Sequence, residues 1–394
     1  MATAQKINGT HLKKARLFRG FSLSELSAKT EISKQTLSLY ENENIKPEIS
    51  KLIILADALR FPMDYFMASD EFNSKIEATY FRSLLSTSKM TRTTQSIRLE
   101  FIAHIYETLI DYVDFPNKNL PKIEFQGKKN LSDEEEYRET EEIEEIAKRC
   151  RKHWGLGNEP IKDLQGLLEA NGIIVTSLEN TENDVDAFSQ KILIDNNAMF
   201  IVVLNANKSF VRARFDMAHE LGHILLHPWS ENIEELSKQE FKEREAQANK
   251  FAGAFLLPED SFGADVSYYP TKLDYYVHLK KKWNVSVQAM IYRAHQLSLI
   301  TTTQYQYLMR QVSKSGWRMN EPDDKPFEPK QTLLQEAVEL LLSSGTLTPF
   351  AFMQVLKRNG IVLRSEDAED LLLLERNTLR GAEPKLRLIT LKDN

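Results

Sequence analysis

The residues of this chain best suited to chemistry stand between Arg214 and His227, where His219, Glu220 and His223 form the pattern His-Glu-x-x-His inside an apolar, helix-forming run. On an α-helix positions i and i+4 lie nearly one above the other, so the two imidazoles project from one face and can grip a single divalent metal. Glu220 sits beside that face. It is placed to accept a proton from an attacking water without itself holding the metal, the general-base role that this spacing serves. His227 continues the same face four residues beyond His223 and is read as a supporting or surface group.

A third metal position is expected from residues 243–258, a second helix whose apolar residues recur at steps of three and four and which Pro258 stops. Glu245 and Asn249 are again i and i+4. Glu245 is the expected third ligand and Asn249 the expected hydrogen-bond partner of a ligand imidazole, whereas Glu243, Arg244 and Gln247 are expected to face elsewhere. Gly222 keeps the back of the first helix slim enough for another element to pack on it. Two His, one Glu and an open position make a hydrolytic zinc site. Manganese is the alternative, because imidazoles and a carboxylate discriminate weakly between the two ions.

The runs Arg-Phe-Asp-Met-Ala-His-Glu-Leu-Gly-His-Ile-Leu-Leu-His and Glu-Ala-Gln-Ala-Asn-Lys-Phe-Ala-Gly-Ala-Phe-Leu-Leu-Pro resemble the ImmA/IrrE family of metallopeptidases. The resemblance covers roughly residues 140–310. It implies a gluzincin-like, intracellular endopeptidase that cleaves repressors or antitoxin-like regulators.

Such a site needs elements that hold its two helices in place. Ile173-Ile174-Val175 reads as a buried strand, and the runs 187–194 and 199–204 bracket the turn 195–197 as a hairpin. The implied unit is a small sheet beside the two metal-bearing helices, entered through a helix ending near Trp154 and another around Leu164, Leu167 and Leu168. A sheet edge beside the metal would bind substrate as an added strand. A peptidase also needs a donor for the developing oxyanion, and Tyr292, Arg293 and His295 are the candidates.

Ahead of this unit, residues 8–67 read as five short helices. Leu12, Ala15 and Phe18 stripe the first, Gly20 ends it, and Ser22 and Ser33 can cap the second and third. The third presents Lys34, Gln35, Thr36 and Ser38 on a small polar face. That face has the size and groups to enter a major groove, where Gln reads adenine and Lys or Ser holds phosphate. The run Ser-Lys-Gln-Thr-Leu-Ser-Leu-Tyr-Glu-Asn resembles the XRE-type helix-turn-helix of phage repressors. Two positions depart from that pattern: Leu23 stands where Gln is frequent, and Glu31 where Gly often makes the tight turn. Residues 1–69 carry ten Lys plus Arg against seven Asp plus Glu, so local placement rather than bulk charge must supply DNA affinity. Protein contact alone is the competing reading of this module.

Between these parts, Ile97, Phe101, Ile105, Leu109 and Val113 stripe a long helix over 94–113, as core or as a dimer seam. Residues 133–145 hold nine acids, a solvated helix start capped by Ser132. Beyond 315 the Pro-rich, polar stretch 321–329 reads as a linker, followed by helices over 333–342, 348–359 and 368–374 that bury themselves or a partner.

The expectation is a mainly α protein with a small sheet (α+β). Its parts are a five-helix helix-turn-helix domain at 1–69, a helical linker or dimerisation region at 70–139, a gluzincin-like metallopeptidase domain at 140–314, and a linker with a small helical region at 315–394. At 394 residues, with 42% hydrophobic and 27% charged residues, several compact units with their own cores are expected. A net charge of -6 argues against wholesale coating of nucleic acid. One cysteine, Cys150, excludes an intramolecular disulfide and suits a reducing compartment. The opening residues lack the apolar stretch of a signal peptide, and no apolar run would span a bilayer, so a cytoplasmic site of action and no membrane partner are expected. The expected partners are a double-stranded DNA operator, a protein substrate and a second copy of the chain. The rival to a peptidase is a repressor or antitoxin whose peptidase-like domain only senses a ligand or partner.

Overall fold

The computed structural model describes residues 7–67, 75–81, 88–125, 127, 132–177, 187–194, 197–229 and 236–381. The chain divides into two compact units, one of residues 1–72, 93–113 and 334–394, the other of 73–92 and 114–333. The stretch 70–139, read from sequence as one connecting region, is therefore shared between them.

In the first unit α1 (Gly9–Phe18), α2 (Leu23–Thr30), α3 (Lys34–Glu41) and α4 (Ile49–Leu59) precede a 3-10 turn at Met63–Met67, so the fifth expected helix is that short turn. Ser22 caps α2 in a reciprocal box with Glu25, and Ser33 accepts from the Thr36 amide at the start of α3. Glu31 adopts the left-handed conformation (φ 55°) that glycine would take without strain, which explains why this position favours Gly. Leu12, Leu26, Leu37, Leu52 and Leu55 are wholly buried. Beside them Arg16 and Glu41 form a buried bidentate pair at 2.6 and 2.8 Å. Helix α5 spans Lys89–Leu109, and its Phe101, Ile105 and Leu109 lie in the core, with Phe101 edge-on to Phe18 at 5.4 Å.

The second unit contributes β1 (Lys75–Phe81), α6 (Asp133–His153), α7 (Leu164–Ala170), β2 (Ile173–Ser177), β3 (Ala187–Ile194) and β4 (Asn197–Leu204). Its remaining helices are α8 (Phe210–Leu226), α9 (Lys238–Leu256), α10 (Glu259–Ser267), α11 (Leu273–Trp283), α12 (Val287–Gln296) and α13 (Thr302–Lys314). The sheet runs β1-β3-β4-β2, with β3 antiparallel to both β1 and β4, and β2 parallel to β4. Residues 195–196 of the expected hairpin turn lie outside the described residues. Strand β1 is an addition to the expected sheet, although Lys75-Ile76-Glu77-Ala78-Thr79-Tyr80 alternates polar and apolar as a half-buried strand does. Ser132 opens α6 in a capping box with Glu135, and along the helix Ile143, Ile146, Ala147 and Cys150 turn into the core.

The polar stretch past residue 315 is not a loose linker. Glu321 is buried and accepts from the Val287 and Gln288 amides at the start of α12 and from Lys280. Lys325 and Phe327 then bond the backbone beside the start of α8, through Phe210 N to Lys325 O at 2.8 Å and Phe327 N to Lys208 O at 2.9 Å. Composition hid this, because one buried carboxylate and two backbone bonds fix a segment that otherwise looks solvated. Helices α14 (Leu333–Ser343), α15 (Pro349–Arg358) and α16 (Ser365–Leu372) return to the first unit. There Arg19 grips Asp367 with two bonds of 2.6 Å and Lys14 meets Glu100 at 2.7 Å. Among the described residues no helix is long and apolar enough to cross a membrane.

Candidate metal centre

Helices α8 and α9 meet at Gly222. A Cβ at that position would lie 3.2 Å from the Ala248 backbone and 3.2 Å from Phe251, so only glycine lets the two helices close without displacement. The close approach carries Glu245 over the His219 and His223 face. His219 Nε2 and His223 Nε2 are 2.9 Å apart, and the Glu245 oxygens lie 3.4 Å from the first and 3.2 Å from the second. A tetrahedral zinc with arms of about 2.0–2.1 Å holds its ligand atoms about 3.3 Å apart, so this triangle of two nitrogens and a carboxylate fits such an ion.

The outer ring nitrogens decide whether the inner ones are free to bind. His219 Nδ1 faces Asn249 Oδ1 at 3.0 Å; an amide oxygen only accepts, so Nδ1 carries the proton and Nε2 keeps its lone pair. The second imidazole is set through three residues. Gln247 donates its amide N–H to Glu139 at 2.8 Å, which turns Gln247 Oε1 toward His227 Nε2 at 3.0 Å. His227 therefore carries its proton on Nε2 and offers Nδ1 as acceptor to His223 Nδ1–H at 2.9 Å, leaving His223 Nε2 bare. Burial, and His223 beside it, keep the His227 ring well below the usual histidine range, so it stays neutral as the relay requires.

Glu220 is fully buried and accepts from Ser189 Oγ of β3 at 2.6 Å. With His219 and His223 it forms a cluster of metal-competent side chains. Helix α8 is anchored by Arg214, whose guanidinium donates to Ile161 O at 2.6 Å, Asn284 O at 3.2 Å and Lys162 O at 3.4 Å. Burial pushes that guanidinium down to about 10.

The three oxyanion candidates all lie on α12 and are engaged elsewhere. Buried Arg293 donates to Leu257 O at 3.0 Å and pairs with Glu144 at 2.6 Å, so its donors serve packing. His295 meets Thr302 at 3.2 Å, and both its ring and that of exposed Tyr292 lie against Tyr305 of α13. Helical periodicity places such residues on a face but not on a site, and this face turns to α13 and the end of α9.

Ser189, Gln247 and Glu139 are the site-lining residues that spacing missed. Gln247 is two positions, about 200° of helix rotation, from Glu245, which argued it away from the metal face. His227 reaches it because the helix has ended there, with an extended backbone at φ -110° and ψ 143°. The signal in the sequence is the four-residue spacing of His219, His223 and His227 itself. In the first unit Lys34 and Gln35 are exposed on α3, while Thr36 and Ser38 are half-buried, Thr36 paired to Ser33 at 2.9 Å and Ser38 to Asn42 at 3.3 Å.

This fold and site define a helix-turn-helix protein joined to a metallopeptidase-like domain. Residues 168–295 match the family model described as the IrrE N-terminal-like domain, Peptidase M78, and residues 12–66 match that of a helix-turn-helix. The architecture is that of the ImmA/IrrE type with an XRE-type module ahead of it. No curated protein matches the chain. Among solved structures a Mycobacterium tuberculosis transcriptional regulator matches at 19% identity and a TM-score of 0.30, over 40% of this chain and 49% of that one. The matched part is thus about half the length of that regulator.

Proposed function

We propose that the chain is a cytoplasmic DNA-binding regulator fused to a zinc-dependent endopeptidase, with a protein such as a partner repressor, an antitoxin or the chain itself as substrate, acting in a stress or phage-related response. The observation that carries this reading is the pair of bare, convergent Nε2 atoms on His219 and His223, with Glu245 across from them and Glu220 buried alongside. His219, His223 and Glu245 would hold the ion, with manganese as the alternative occupant. When bound, zinc supplies Lewis acidity, polarising a scissile carbonyl and acidifying a water.

The remaining work falls to side chains of this chain. Glu220 takes the proton of the attacking water as its oxygen bonds to the carbonyl carbon, then delivers that proton to the amide nitrogen, whereupon the C–N bond breaks and the amine leaves. Ser189 holds the carboxylate of Glu220 by donating to Oε2. Asn249 and the His227–Gln247–Glu139 relay hold the two imidazoles with their lone pairs inward. In the first unit, Gln35 would read a base edge and Lys34, with Thr36 and Ser38, would meet base or phosphate of an operator.

Metal analysis tests the assignment. The purified full-length chain should carry about one zinc or manganese per molecule, and His223→Ala should lose most of it. Equal metal in both would remove the ligand set. For the regulator half, binding to an operator fragment should weaken steeply with salt and should fail when Lys34 and Gln35 are both replaced by Ala.

A further inference from the structure

We infer that β1 is the chain's own occupant of the strand position in which an extended peptide substrate would lie. The inference rests on the peptidase reading and names what fills that site at rest. Ser189 of β3 donates to Glu220 at 2.6 Å, so the strand beside the candidate base is β3. One side of β3 is taken by β4, which leaves the other as the place where a peptide could add next to Glu220. Residues 75–81 already lie there, antiparallel, and Tyr80 stands opposite Ser189 in the register. The other margin of the sheet, beyond β2, is two strands further away.

Occlusion accounts for this arrangement better than self-cleavage. A cut within 75–81 would not free residues 1–72, because Phe18 packs on Phe101 and Arg19 grips Asp367, both beyond the cut. The pairing also carries its own weak point. The register shifts between Ile76 and Ala78, so Glu77 is an extra residue that interrupts the ladder and lowers the cost of peeling the strand away. Release of β1 would then open the β3 edge to an extended, unfolded segment of another protein.

The test uses the zinc-loaded full-length chain, casein as an unstructured substrate, and a fluorescent peptide of residues 73–83 as a probe of the edge. Ala78 and Lys191 stand opposite each other, so Ala78→Cys with Lys191→Cys can be oxidised to pin β1; the native Cys150 is buried and out of reach. The oxidised pair should neither cleave casein nor take up the peptide, and reduction should restore both. Thr79→Pro, which disturbs the ladder, should take up the peptide and cleave casein about tenfold faster than the parent. Equal peptide uptake and cleavage in the oxidised and reduced pair overturns the inference, and if Glu220→Gln is then still inactive the peptidase reading survives. Peptide uptake that follows the pin, with no cleavage by any form, sustains the strand exchange and removes the peptidase reading.

Discussion

Replacing Gln247 by Leu tests the account of how the second imidazole is set. The side chain keeps its approximate volume but loses both the acceptor for His227 Nε2 at 3.0 Å and the donor to Glu139 at 2.8 Å. His227 Nε2–H is then buried without its partner, which costs about 1–3 kcal/mol of stability. The tautomer of His227 is also released, and with it the demand that His223 keep its proton on Nδ1. Loss of such an outer partner weakens metal binding by about 10–100-fold, or about 1.4–2.7 kcal/mol. Competition for zinc against a chromophoric chelator reads the affinity, and thermal unfolding with and without zinc separates it from folding. Glu139→Gln should cost less, because the new amide can still accept from Gln247. If Gln247→Leu binds zinc within twofold of the parent, the relay plays no part in preparing His223.

Other consequences are equally direct. Gly222→Ala places a methyl 3.2 Å from the Ala248 backbone and should lower stability by about 1–3 kcal/mol while also weakening zinc binding, read by calorimetry and the same chelator competition. Burial pushes the Cys150 thiol up to about 12, so it stays protonated below that pH and only about one molecule in ten thousand is thiolate at pH 8. A thiol-reactive dye should therefore label the native chain only as fast as it unfolds; prompt labelling at pH 8 would contradict the burial. Arg19→Ala leaves Asp367 without its bidentate partner and should destabilise the first unit by about 1.5–3 kcal/mol in denaturant titration. Gln35→Ala should relax operator preference at about one base position for a cost of about 1–3 kcal/mol, measured by competition among single-base operator variants.

The helices of the site could be read from the sequence because each has a local signature. Ser237 and Glu240 box the start of α9, Pro258 follows its end, and the spacing of His219, His223, Glu245 and Asn249 fixes which side chains share a face. The pairing of the two helices was legible in one residue, Gly222. Strand β1 was not, since seven residues of modest alternation name no partner, and its pairing with β3 crosses more than a hundred residues of chain. Nor was the segment 315–333, where a single buried carboxylate, Glu321, does what a run of apolar residues does elsewhere. The oxyanion candidates on α12 failed for a related reason. A basic or aromatic residue on an amphipathic helix has no sequence mark that separates a donor aimed at substrate from one that ties down a carbonyl, as Arg293 does with Leu257.

The central claim is that this site hydrolyses a protein, and it stands on Glu220 lying beside the ion without holding it. Glu220→Gln preserves volume and the contact with Ser189 but removes the base, so zinc content and thermal stability should remain near those of the parent. Comparing the proteomes of cells that carry the parent chain and Glu220→Gln, one target fragment should be present with the parent and reduced by about two to four orders of magnitude with the variant. The same fragment appearing at the parent rate with Glu220→Gln would contradict hydrolysis at this site and leave the metallopeptidase-like domain as a sensor.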